Sequence, residues 1–248
     1  MRFLYALRFL TIIPIPYKQD EDMASVARST IFFPAAGLLI GGILFGASCL
    51  TDLIFIPEVS SALLILLWVV LTGGLHLDGL ADLADGLGGG KTREEKLAIM
   101  KDSRTGAFGA LALIVMLLLK WALCIQLIES SAHLSLLLIP MGSRWITMNF
   151  ILLFPSAREG GMGSFFKNHV RLREPVIGGI FTLAAAFLIG GLPGLVSCFA
   201  ALLLLIPAAL VINRILGGLT GDVYGSLIES GEVLILLLLP VFFRIFET

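Results

Sequence analysis

The feature that most constrains this chain is a series of seven apolar stretches, roughly residues 31–50, 60–75, 107–128, 133–154, 176–191, 193–212 and 233–246. Most are about as long as a helix needs to cross a hydrocarbon layer of about 30 Å. Inside that layer no water pairs with backbone N–H and C=O groups, so each segment must satisfy its own, and a helix does so. Composition agrees: 58% of the 248 residues are hydrophobic, 14% are charged and the mean hydropathy is +1.00. The expected fold is an all-α polytopic membrane protein with about seven transmembrane helices in a single domain, residues 1–248. The net charge of -1 and the lack of a basic tract give no reason to expect a nucleic-acid partner. Cys49, Cys124 and Cys198 stand singly in apolar runs and read as small buried residues.

The N-terminal stretch to Pro16 is apolar but interrupted by Arg8 and closed by Pro14 and Pro16, too short to span. Arg2, Tyr5 and Arg8 recur on one side, so an interfacial helix is expected, followed by a polar run from Lys18 to Arg28. Lysine plus arginine in successive segments between spans number four, none, five, none, four, none and one. That alternation follows the positive-inside rule and predicts a cytoplasmic N-terminus. It also sets residues 76–106 and 213–232 on the same, cytoplasmic face of the membrane, although about 140 residues separate them.

The first of these segments holds the main chemistry, His76-Leu-Asp-Gly-Leu-Ala-Asp-Leu-Ala-Asp-Gly86. On a helix, Asp78, Asp82 and Asp85 fall within ~60° of arc, so three carboxylates crowd one face. A hard divalent cation relieves such crowding, and magnesium held by carboxylates keeps positions open for phosphate oxygens. Asp78, Asp82 and Asp85 are therefore the expected magnesium ligands, with a phosphoryl compound as substrate. Downstream, Gly88, Gly89 and Gly90 read as a flexible break, Thr92 as a helix cap, and Lys101 with Arg104 as cations able to reach a phosphate. Arg144 lies at membrane depth and cannot readily lose its proton, so it is expected to face a wet site, whereas Lys120 reads as structural. In the second segment Asp222 sits among small residues that let backbone approach a ligand, and Asp222 joins the three aspartates as a catalytic candidate. Gly-Gly-Leu follows an apolar span at both Gly73 and Gly217. No acidic residue is expected deep in a span.

Three stretches together are similar to the bacterial cobalamin synthase family, the adenosylcobinamide-GDP ribazoletransferases. They are His76-Leu-Asp-Gly-Leu-Ala-Asp with Asp85-Gly86, Met100-Lys-Asp-Ser-Arg-Thr-Gly-Ala-Phe-Gly109, and Gly218-Leu-Thr-Gly-Asp-Val-Tyr-Gly225. Phe9-Leu-Thr-Ile-Ile-Pro14 and Phe33-Pro-Ala-Ala-Gly-Leu-Leu-Ile-Gly41 resemble its N-terminal signatures, with Ile12 where the family form has Arg. The resemblance implies magnesium-dependent transfer of the phosphocobinamide group from adenosylcobinamide-GDP to a ribose hydroxyl of alpha-ribazole or its phosphate, releasing GMP. The residues expected to bind substrate are His76, Lys101, Asp102, Arg104, Arg144, Thr220 and Tyr224. Two alternatives stand beside this resemblance. A CDP-alcohol phosphotransferase making phospholipid requires Asp-Gly-x-x-Ala-Arg, and Asp82-Leu83 occupies the last two places here. A cation transporter would carry its carboxylates near the midplane.

Overall fold

The structure, a computed structural model, describes residues 2–16 and 23–246. Lys18, which opens the expected polar run, lies outside the described residues. Among those described there is no strand. Eleven α-helices follow one another: α1 (Arg2–Leu10), α2 (Met23–Ala27), α3 (Phe33–Asp52), α4 (Pro57–Thr72), α5 (Leu75–Gly89), α6 (Arg93–Ile99), α7 (Ala107–Glu129), α8 (Leu138–Leu153), α9 (Gly161–His169), α10 (Arg173–Leu216) and α11 (Gly221–Phe246). Length and apolarity mark five described spans, or six if α4 and α5 count as one, against an expectation of seven. The difference lies partly in α10, whose 44 residues are one continuous element broken at Gly191, where φ is 58° and ψ is -151°. This break falls where the fifth and sixth spans were expected to part. Pro193 follows it, and a Cβ on Gly194 would lie 2.6 Å from the Ala186 carbonyl, so the two halves fold sharply toward each other.

The layers follow from where large apolar side chains can hide. Helix α8 is buried on nearly all sides, α3, α10 and α11 pack around it, and α7 lies outside with Leu111, Ile114, Val115 and Leu118 exposed. In water those side chains would be a liability; facing lipid they need no cover. Close helix contact comes from glycine: a Cβ on Gly37 would lie 2.7 Å from the Pro140 carbonyl carbon, and one on Gly41 would lie 2.8 Å from the Leu137 Cα. Helix α1 buries Ala6, Leu7 and Leu10 and packs on α3, consistent with a helix lying along the bundle's end.

Two turns direct the acidic segment. Gly73 and Gly74 both adopt left-handed backbone, with φ of 61° and 68°, which costs glycine nothing and other residues a Cβ clash. Gly73 N–H closes α4 on the Val69 and Val70 carbonyls, and the chain then turns by 89° into α5. Helix α5 therefore lies across the end of the span rather than continuing it.

Candidate active site

Helix α5 is packed against the start of α11, and the fit is backbone to backbone. A Cβ on Gly79 would stand 2.8 Å from the Asp222 carbonyl oxygen, and one on Gly225 would stand 3.2 Å from the Cα of His76. Any larger side chain at either place would part the helices. Thus the two segments expected on one face are in direct contact, and Asp222 comes to the aspartates of α5.

The four aspartates then divide. Asp78 is exposed, Asp82 and Asp222 are half-buried, and Asp85 is buried. Partial burial, then repulsion from Asp78, Asp222 and Asp85, pushes the Asp82 carboxyl up to about 6 against the opposing pull of Arg158. Asp222 is held from two sides: Thr220 Oγ1 donates to it at 3.1 Å and Arg158 Nη1 lies 3.7 Å away. Asp85 faces elsewhere. Its Oδ2 accepts from Gly106 N–H at 2.7 Å and its Oδ1 from Gly109 N–H at 2.8 Å, so it caps α7, whose first turn carries unpaired donors and partial positive charge. A Cβ on Gly106 or Gly109 would strike that carboxylate, which accounts for both glycines. The three carboxylates on the open side are thus Asp78, Asp82 and Asp222.

Among the described residues no three His, Cys, Asp or Glu side chains form a ready-made cation cage. The donor set nevertheless suits magnesium, which takes oxygen ligands, keeps several waters and needs only one or two carboxylates besides substrate phosphates.

The other expected site residues are spread out. Lys101 and Arg104 are exposed in the turn between α6 and α7, and Arg104 folds onto Asp102, its Nε donating to Oδ1 at 2.9 Å. That pairing holds the Asp102 carboxyl down to about 2. Thr92 caps α6 as expected, in a reciprocal box with Glu95. His76, Thr220 and Tyr224 are buried at the α5–α11 contact. Gly88 and Gly89 belong to the last turn of α5, with only Gly90 outside it.

Arg144 is fully buried and faces no open site. It pairs with Glu232, which also accepts from Lys120 Nζ at 2.5 Å, and Lys120 reaches Glu229 at 2.6 Å. Two cations and two anions from α7, α8 and α11 thus form a neutral buried quartet, with Lys120 also 4.5 Å from the Trp68 ring centre. The expectation that no acid lies deep in a span is corrected here. Helix α11 begins at Gly221, not near 233, and carries Glu229 and Glu232 inward as one ridge three residues apart. Two unmatched cations inside apolar runs were the signal for them.

Arg158 is the site residue that sequence reasoning passed over as a loop charge. Its Nη2 donates to the Leu97 carbonyl at 2.9 Å, its Nε has no partner among the described residues, and its loop is tied to the approach of α11. Ala157 N–H donates to the Leu219 carbonyl at 3.0 Å and Leu219 N–H to the Pro155 carbonyl at 2.8 Å. Arg93 adds a clamp, donating to the carbonyls of Leu216 at 2.7 Å and Ala157 at 2.9 Å.

A family model described as cobalamin-5-phosphate synthase matches residues 2–240. Among curated proteins, the chain is 41% identical over 243 residues to an adenosylcobinamide-GDP ribazoletransferase of Desulfitobacterium hafniense, covering 96% of each. It is 43% identical over 239 residues to one of Herpetosiphon aurantiacus, covering 93% of this chain and 92% of the relative. The same name belongs to a Roseiflexus protein, 40% identical over 93% of this chain and 86% of the relative. No solved structure matches the chain.

Proposed function

Because the chain belongs to the cobalamin-5-phosphate synthase family, a transferase family of cobalamin synthesis that carries the cobinamide group from adenosylcobinamide-GDP to ribazole, we infer how its residues perform that transfer. The reaction centre is the open face formed by Asp78, Asp82 and Asp222. The observation that carries this reading is the meeting of α5 and α11 through Gly79 and Gly225, which brings Asp222 beside the α5 carboxylates.

Asp78 and Asp222 are the groups that would hold magnesium, which when bound supplies charge neutralisation at the pyrophosphate of the donor. Arg158, whose Nη1 lies 3.7 Å from Asp222, is placed to bind a donor phosphate oxygen. A ribose hydroxyl of ribazole or its phosphate forms the new bond to the phosphorus that carries cobinamide. The bond from that phosphorus to the GMP oxygen breaks, and GMP leaves with the bonding pair. Asp82 takes the hydroxyl proton: a carboxylate pushed up to about 6 is a stronger base than an ordinary one and is still ionised at neutral pH. Asp222, fixed by Thr220, orients the face. The charge alternation supports a cytoplasmic position for this face in the bacterial inner membrane, where a soluble nucleotide donor is found.

Purified protein in detergent, given adenosylcobinamide-GDP, alpha-ribazole and magnesium, should release GMP in step with corrinoid product, and chelation should stop both. Asp82→Asn should lower turnover at least about 10- to 100-fold. Product formation without GMP, or full turnover in Asp82→Asn, would refute the scheme.

A further inference from the structure

Beneath the aspartate face lies a cavity of about 160 Å³ between α1, α3, α5, α8, α9 and α11. Phe9, Phe33 and Phe166 form its aromatic wall. Phe9 and Phe33 stack with ring centres 5.8 Å apart, and Phe166 meets both edge-on, at 4.9 and 5.7 Å. Ile228 closes part of the remainder. Two deeply buried polar residues contribute to the cavity wall, His76 at 3% exposed and Tyr224 at 6%. Among the described residues neither ring nitrogen of His76 nor the Tyr224 hydroxyl has a hydrogen-bond partner. Buried polar atoms in that state are uncommon and call for a ligand or water. Asp78 and Asp222 also line the cavity, so whatever occupies it adjoins the reaction centre.

Size and polarity narrow the occupant. Sites for whole drug-sized ligands run to about 300–1,000 Å³, so this space suits one flat bicyclic ring rather than a nucleotide. Guanine presents several donors and acceptors that phenylalanine walls would leave unpaired. The dimethylbenzimidazole base of ribazole presents hydrocarbon and one free acceptor nitrogen.

We propose that this cavity is the acceptor subsite: the base of ribazole lies against the phenylalanine rings, its free nitrogen accepts a hydrogen bond from the Tyr224 hydroxyl, and its ribose emerges at Asp78 and Asp222. This rests on the transfer reaction inferred above. The phenylalanines supply stacking and edge contacts, and the one hydrogen bond fixes which edge of the base points inward. Helix α1 thereby becomes part of a substrate site through Phe9, a role that its end-of-bundle position alone does not suggest.

The test separates the two substrates kinetically. Ile228→Phe should crowd the ring and raise KM for alpha-ribazole at least about 10-fold, leaving KM for adenosylcobinamide-GDP unchanged. Tyr224→Phe keeps the shape and removes the hydroxyl, and should raise the same KM several-fold. Free 5,6-dimethylbenzimidazole should inhibit competitively against alpha-ribazole and not against the donor. If Ile228→Phe does not fold, the conservative Tyr224→Phe and the inhibition pattern decide. A rise in donor KM alone, or competition with the donor, overturns the subsite while leaving the reaction intact. Absence of any corrinoid product from the unaltered protein would instead refute the reaction.

Discussion

Replacing Glu232 by Gln should be among the most damaging single changes in the membrane interior. Glu232 is 0% exposed and, among the described residues, is the one anion that touches both buried cations, with Lys120 Nζ at 2.5 Å and Arg144 on its other oxygen. Removing its charge leaves Lys120 paired with Glu229 at 2.6 Å and strands Arg144, whose remaining partners are neutral: Ser143 Oγ at 3.0 Å and the Pro140 carbonyl at 3.3 Å. Breaking a buried pair in this way costs about 3–5 kcal/mol, because the surviving charge stays buried without a counter-ion. Lys120→Met should cost a similar amount for the opposite reason, since two glutamates then share Arg144. The double variant Lys120→Met with Glu229→Gln removes one charge of each sign and keeps the Arg144–Glu232 pair. It should recover to within about 1–2 kcal/mol of the unaltered protein, a strong positive coupling. Unfolding in mixed micelles, followed by circular dichroism, measures these four proteins and the single variant Glu229→Gln, which completes the cycle. If the double variant is no more stable than the worse single variant, the four charges do not act as a neutral unit and the reasoning fails.

Other outcomes follow from the site. Gly79→Ala would bring a methyl to 2.8 Å from the Asp222 carbonyl oxygen and 3.0 Å from its Cα, so α5 and α11 must separate. Activity should fall at least about 10-fold with a stability loss of about 1–3 kcal/mol, and unchanged turnover would show that the contact does not set the site. Asp85→Ala removes the acceptor for two N–H groups of α7 and should lower stability by about 1–2 kcal/mol with or without magnesium; a variant of full stability would return Asp85 to the candidate ligands. The raised Asp82 carboxyl sets a pH signature. A proton there removes a negative charge beside the proposed magnesium, so affinity measured by calorimetry should weaken as pH falls through about 6, and Asp82→Asn should lose that dependence. The sign for folding is opposite. Without metal the folded chain keeps this proton between 3.8 and about 6 while the unfolded chain releases it, so this group's contribution to stability declines as pH rises across that window. Finally, single cysteines at Gly89 and Ser226 of a cysteine-free variant should resist an impermeant thiol reagent in intact cells and react in inverted vesicles. Labelling from outside would invert the proposed orientation.

The helices were legible because hydrocarbon leaves the backbone no alternative, and most expected spans reappear within a few residues of their bounds. Gly191 and Pro193 marked the break in α10 in the same way. The α5 carboxylate face was legible from spacing alone, but its division was not. Asp85 repeats the helical register of its neighbours, and only the fold shows that the N-terminus of α7 comes up against it. Periodicity also failed at α11. Asp222, Glu229 and Glu232 read as a polar loop because a buried acid looks like a solvated one until its partners are known. Lys120 and Arg144 lie in other helices, 109 and 88 residues from the glutamates they meet, beyond any local pattern. Arg158 was invisible for a related reason: one arginine in a basic loop carries no mark of the aspartate beside it.

The repeated Gly-Gly-Leu has a physical meaning that does not require a duplication. Both glycine pairs take positive φ, 61° and 68° at Gly73 and Gly74, 72° and 151° at Gly217 and Gly218. Each ends an apolar helix, and each delivers a helix bearing one side of the site, α5 with Asp78 and Asp82 or α11 with Asp222. A continuing helix would carry those aspartates onward along the span axis, whereas a turn made by left-handed backbone re-aims them within two residues. At Gly218 even the space is backbone-limited, since a Cβ would stand 2.6 Å from the Ser156 carbonyl carbon, inside the loop that carries Arg158. The turn therefore sets two things together, the start of α11 and the seat of the Arg158 loop against it, through the Ala157–Leu219 hydrogen bond. Below both turns the quartet of Lys120, Arg144, Glu229 and Glu232 cancels its own charge. The quartet therefore lends no net positive charge to the anionic face above it, where Arg158 stands 3.7 Å from Asp222 and the proposed magnesium would supply the remaining neutralisation.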